Sequence, residues 1–325
     1  MSPEERRDSI DGLELDDAVD AVTAADETHD PEAVRAALDY VTDDEGVVRE
    51  AAVDPAFGEL SKVVSTPETR VELAQMALDD ARETAEPVAD IDAVAARLDD
   101  FEARVDALDA RVEALGEQLG SLIDDHGEAA DLYETAEGIR ALTDEANRVQ
   151  VEADELQQHL EAFERWVDTE SLRLDELEED VAAAESEVDD LVAAVEKLDA
   201  VLDQLDPDAA DELVAGWLHT TVGRRVTDLL LTDLRAEIED LRAWPGGVED
   251  TDRLAAIEAD VDELAERTTA TAETLDALVA PEWDERFGDR LADLDAALDA
   301  VEPPVDWGAV QEIVEEHRVD PETLR

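Results

Sequence analysis

From Val88 to Asp206 the chain runs without a proline, and its apolar residues fall three and four positions apart. Ile91, Val94, Leu98, Phe101, Val105, Leu108, Val112, Leu115, Leu119 and Leu122 keep that step without a miss. A second register runs through Ile139, Leu142, Ala146, Val149, Ala153, Leu156, Leu160, Phe163 and Val167, skips at Glu170, and resumes from Leu174 to Leu205. Side chains at these spacings share one helix face, and a stripe sustained over so many turns predicts coiled-coil packing.

The two registers differ in phase, and Gly127 lies between them. An antiparallel hairpin folding back at that glycine pairs Ile91 with Phe163, Leu98 with Leu156, Phe101 with Ala153, Val105 with Val149, and Leu115 with Ile139. Heptad runs allow other registers at intervals of seven, so charge is a second criterion. Arg104 and Arg111 flank the first seam, with Glu152 and Glu145 on the matching side of the second. A parallel homodimer is the competing arrangement. It sets Arg97 against Glu102 and Arg104 against Asp109 of the other chain, and it needs helix through Gly116, Gly120, Gly127 and Gly138. The hairpin is the preferred reading.

The flanks are helical too, rich in Ala, Leu, Glu and Arg and without sustained two-residue alternation. In residues 1–86, Asp30-Pro31, Asp54-Pro55 and Thr66-Pro67 each place a capping side chain before a proline. That pattern predicts three separate helix starts in a small bundle. Val71, Leu73, Met76 and Leu78 are the apolar residues of the last of these helices. Beyond Asp206-Pro207, a helix reaches Trp244, a turn forms at Pro245-Gly246-Gly247, and helices follow from about Leu254, from Pro281, and from Trp307 to His317. Thr268 and Thr271 interrupt an apolar stripe and are expected on a solvent-facing turn rather than in a hydrated layer. The fold class is therefore all-α, a long antiparallel coiled-coil hairpin (87–206, with a long second helix) flanked by helical bundles at 1–86 and 207–325.

Charge bears on environment. The chain carries 94 Asp and Glu against 25 Lys and Arg, a formal net charge of -69, where a small domain typically carries roughly 2–8. Such self-repulsion leaves disorder or a very salty solvent. Leu, Ile, Val and Phe make up about a quarter of the chain, above the disordered range. High salt remains, since the Debye length falls to about 3 Å at 1 M. With lysine only at positions 62 and 197, the chain reads as a cytoplasmic protein of a salt-accumulating halophilic archaeon.

The same inventory excludes most chemistry. There is no cysteine, hence no disulfide, thiolate zinc site or thiol nucleophile. No apolar run approaches the length of a membrane span, and no signal-peptide core opens the chain. Nucleic-acid binding needs a basic patch, which is missing. Neither lysine stands in a phosphate-binding loop, and no histidine has a glutamate three residues before it, as carboxylate-bridged metal bundles require. No catalytic, cofactor-binding or metal-ligating residue is assigned, and the chain is expected not to be an enzyme. One constellation suggests a protein-contact surface: Arg224 and Arg225, adjacent positive charges in an acidic chain, with Trp217 two turns before them. Trp and Arg are favoured interface anchors, although such residues also fill cores and neutralise neighbouring acids.

Three stretches, VVSTPETRVELAQMALDDAR at 63–82, LEAFERW at 160–166 and PPVDWGAVQ at 303–311, resemble haloarchaeal coiled-coil proteins labelled halo transducer proteins. The resemblance covers most of the chain. It implies kinship with methyl-accepting signalling proteins, whose cytoplasmic part is a long antiparallel helical hairpin that binds a kinase and a coupling protein. The segment TDEANRVQVEADE at 143–155 shares only scattered residues with the signalling tip, so no functional residue carries over. The expected function is a non-catalytic scaffold or adaptor with protein partners. The alternative is a cytosolic signalling component of transducer type.

Overall fold

The computed structural model describes residues 10–128, 131–202, 210–279 and 281–317. All of the long elements there are α-helices, so the protein is all-α. The only extended pairings among the described residues are two isolated bridges, Glu14 with Val47 and Thr42 with Val48. The chain divides into two compact units. Unit one takes the described residues up to Glu83 and those from Leu98 to Glu164; unit two takes Thr84–Arg97 and the described residues from Arg165 onward.

Unit one begins with α1 (Leu15–Ala25) and α2 (Pro31–Leu38). Asp30 caps α2 as its sequence predicts, accepting from the Glu32 amide at 3.2 Å with Pro31 in the first turn. Val34, Ala37, Leu38, Val41, Val48 and Val53 are fully buried around this corner. The next helix, α3 (Val53–Ala85), differs from expectation. It is continuous, with Pro67 inside it rather than at a new start. Proline removes one amide donor from the helix; beside it, the Ser65 and Thr66 hydroxyls donate to the Lys62 carbonyl at 2.9 and 3.1 Å. Val71, Ala74, Leu78 and Ala81 form the buried stripe of α3, whereas Leu73 and Met76 are exposed.

α4 (Asp92–Glu128) and α5 (Leu132–Asp168) follow. α4 runs through Gly116, Gly120 and Gly127, so the chain is still helical at the glycine where the turn was expected. Within unit one the two helices are antiparallel: Phe101 meets Phe163 edge to face at 5.5 Å, and Leu122 lies against Gly138. Phe101 was expected opposite Ala153; it meets Phe163 instead, ten residues further along α5. Arg111 pairs with Glu145 at 2.7 Å, as expected, but also with Glu152, while Arg104 turns to His159 at 3.2 Å. Gly138 has a packing reason, since an added Cβ would sit 2.6 Å from Leu122 Cδ1. The helix pair has a third member. α3 lies along α4 through Arg82–Glu102 at 2.7 Å and along α5 through Arg70–Asp154 at 3.4 Å.

Unit two is built on α6 (Glu170–Leu202), α7 (Ala210–Ala243) and α8 (Thr251–Ala277). The expected long second helix is broken at Thr169 and restarts as α6. Leu174, Leu177, Val181 and Val188 of α6 share a core with Leu231, Leu234 and Ile238 of α7 and Leu254, Ile257 and Val261 of α8. The turn before α8 has Gly246 and Gly247 at φ 97 and 74, the left-handed region that favours glycine. Arginines tie the helices together: Arg253 to Asp175 and Glu178 at 2.6 Å, Arg235 to Asp262 at 3.1 Å, Arg242 to Glu258 at 2.5 Å, and Arg267 to Asp189. Thr268 and Thr271 are buried, at 1% and 8% exposure, not solvent-facing. Each hydroxyl donates four residues back, to the Leu264 and Arg267 carbonyls at 2.9 and 2.8 Å, so neither needs a water. α9 (Pro281–Leu298) and α10 (Trp307–Glu316) close a further apolar cluster of Leu229, Leu294, Leu298 and Val310.

Candidate functional site

The three residues singled out in the sequence all sit in unit two. Trp217 is 4% exposed, packed among Val195, Leu198, Leu213 and Phe287, with its ring 5.5 Å from that of Trp283. Arg224 pairs with Asp228 one turn on, and Arg225 reaches Asp295 of α9, its Nη2 donating at 2.8 Å. Burial lowers the Arg225 pKa and the Asp295 charge opposes that shift; burial raises Asp228. The structure thus places the tryptophan in a core and both guanidinium groups against carboxylates of the same unit.

A second constellation was not visible in the sequence. Where the first turns of α4, the end of α5, the start of α6 and the end of α7 meet in unit two, two arginines stack on two indoles. The Arg97 guanidinium lies 4.1 Å from the Trp166 ring centroid and that of Arg173 4.0 Å from Trp244, with the indoles edge to face at 5.6 Å. Stacked arginine over Trp is among the stronger cation–π geometries. Arg173 also donates to the Trp166 and Val167 carbonyls at 2.8 and 2.6 Å, satisfying the end of α5 where Thr169 breaks the helix. A cavity of about 20 Å³ beside these rings is lined by Arg97, Arg173, Glu176, Glu237 and Asp240, room for about one water.

The carboxylates that line this cavity, and those whose charge acts on Glu237, are unequally partnered. Asp240 accepts from the Ala93 amide at 2.9 Å, and Glu176 pairs with Arg97 at 3.1 Å. Asp233 accepts from the Val305 amide at 3.0 Å and from Trp307 Nε1 at 3.2 Å. Glu237 has no hydrogen bond or ion pair to a described residue. Burial first, and the charges of Asp180 and Asp233 next, push it up to about 7. Asp180, though its side chain is open to solvent, is raised by partial desolvation and then by Glu176. The only sequence signal was indirect: Trp166 and Trp244 each close a helix, whereas Glu237 is one acid among 94.

In unit one an open groove of about 600 Å³ lies between the turn at Tyr40, the first turns of α3 and the stretch of α5 around Ile139. Ala52, Pro55, Ala56 and Val63 make its walls largely apolar. Both threonines, Lys62 and Glu59 of its lining are already engaged. The Thr42 and Thr143 hydroxyls donate to the Leu38 and Ile139 carbonyls at 2.7 and 2.8 Å, and Lys62 pairs with Glu59 at 2.7 Å. An occupant of this groove therefore meets mainly apolar contact, with the Tyr40 ring at one wall.

Among the described residues no group of three or more His, Asp or Glu is disposed to hold a metal ion, and no helix is long and apolar enough to cross a membrane. No protein-family model matches the chain, and comparisons with curated proteins and with solved structures find no match.

Proposed function

We propose that this protein is a non-catalytic helical scaffold of a high-salt cytoplasm that docks a partner protein through the unit-one groove. The observation that carries the reading is the groove itself: open, walled by Ala52, Pro55, Ala56 and Val63, with its threonine hydroxyls and lysine committed elsewhere. Its occupant is the apolar face of an amphipathic helix. A net charge of -69 favours basic residues flanking that face.

Gly58 gives the test. It lines the groove, and a Cβ there would meet nothing within 4 Å. Gly58→Gln should leave the fold intact and stabilise α3 by up to about 1 kcal/mol, while its side chain obstructs the groove. A photo-crosslinking residue at Ala56, in multimolar KCl, should join a partner peptide with one apolar face and basic flanks. Gly58→Gln should abolish that product. Crosslinks confined to this chain, or a partner product unaffected by Gly58→Gln, would overturn the reading.

The antiparallel α4 and α5, each 37 residues long, favour one second reading, a cytosolic signalling component of transducer type. Reversible glutamate methylation, seen as +14 Da peptides from native cells, would replace the scaffold reading with that one.

A further inference from the structure

Glu237 is a half-buried carboxylate of unit two with no hydrogen bond or ion pair to a described residue. From α4 it is faced by Arg97, which is already paired with Glu176 and stacked on Trp166. From α6 it is faced by Glu176 and Asp180, and across the small cavity by Arg173, whose guanidinium is held by two carbonyls and an indole. The end of α5 contributes the uncharged Trp166 ring, and α7 itself adds Asp233 and Asp240, both accepting hydrogen bonds from backbone amides. Four acids therefore surround Glu237, and neither guanidinium bonds to it. A neutral carboxyl sits in this setting without repulsion; an ionised one repels α6 from α7 and competes for Arg97.

We propose that Glu237 is a proton-operated latch: protonated, it lets the first turn of α4, the α5–α6 break and α7 close on one another, and ionised, it loosens that joint within unit two. The device is separate from the unit-one groove, so it stands or falls independently of the scaffold reading. Its sign follows from linkage. A carboxyl raised in the folded state binds more protons folded than unfolded between the two pKa values. The stability it contributes is full below the unfolded value of about 4.5 and is lost as pH rises through about 7.

The test uses the full chain at fixed multimolar KCl, titrated between about pH 5.5 and about pH 8.5. Two readouts are followed: tryptophan emission, and hydrogen exchange of the Ala93 amide, corrected for the intrinsic rate. In the wild type both should show a one-proton step near pH 7, with Ala93 exchanging at least about tenfold faster on the alkaline side. Glu237→Gln, neutral at every pH, should hold the low-pH signal throughout. Asp180→Asn removes one repelling charge and should move the wild-type step down by about half a pH unit or more. No step in the wild type, or a step that survives Glu237→Gln, would overturn the proposal. Should Glu237→Gln not fold, an unmoved midpoint in Asp180→Asn overturns it equally.

Discussion

One guanidinium closes the break at Thr169. The last carbonyls of any α-helix have no partner within it, and here Arg173 supplies one for Trp166 and Val167 while its flat face covers Trp244. At 7% exposure it is among the few buried charged residues described, and burial lowers its pKa. Arg173→Met keeps the apolar stem, takes the donor from the Val167 carbonyl and leaves that of Trp166 only the Thr169 amide at 3.4 Å. It should cost about 2–3 kcal/mol, read as a lowered midpoint of thermal unfolding at constant KCl. Arg173→Lys should fall between, because an ammonium cannot donate in a fixed fork or stack flat on the indole. Equal midpoints for all three proteins would show that the break is held by packing alone.

Between elements, the register of α4 on α5 is the sharpest departure from the sequence reading. The chain has no cysteine of its own, so introduced pairs are unambiguous. Phe101→Cys with Phe163→Cys should join efficiently under a short bifunctional thiol reagent, and Phe101→Cys with Ala153→Cys should not; the reverse yield would restore the register centred on Gly127. The sequence misplaced the register because a heptad pattern repeats itself every seven residues, and only side-chain size and charge break the tie. The Phe101–Phe163 ring contact and the fork of Arg111 to both Glu145 and Glu152 break it in favour of the longer reach. Helix existence was legible, because Ala, Leu and Glu at these spacings form helices in almost any context, and Asp30 before Pro31 marked the start of α2. Pro67 was not, because a proline that begins a helix and one carried inside it look alike until the packing on either side is known. For the same reason Leu73 and Met76 were taken with Val71 and Leu78, although they project from the opposite side of α3. Neither candidate site was readable: the groove joins residues near position 55 to Ile139, and Glu237 differs from its neighbours only in what surrounds it.

For the molecule as a whole, charge is the governing quantity. Nearly four carboxylates accompany each cation, and most arginines described already bridge to acids on neighbouring helices. The remaining repulsion must be screened by solvent ions. Dialysis from multimolar KCl into dilute buffer should therefore abolish most of the far-ultraviolet helical signal, with recovery on restoring salt. Full helicity in dilute buffer would show that the ion pairs compensate the charge by themselves.

The arginine bridges of unit two also set an asymmetry in what the chain can lose. Arg235, Arg242, Arg253 and Arg267 each join α8 to a different point on α6 or α7. Each acid, in contrast, has other acids within a turn or two that a long arginine could adopt instead. Random substitution would then erode these seams unevenly: their exposed acids could drift among Asp, Glu and neutral polar residues with little consequence, while each of the four arginines removed would leave acids without their bridge across the seam.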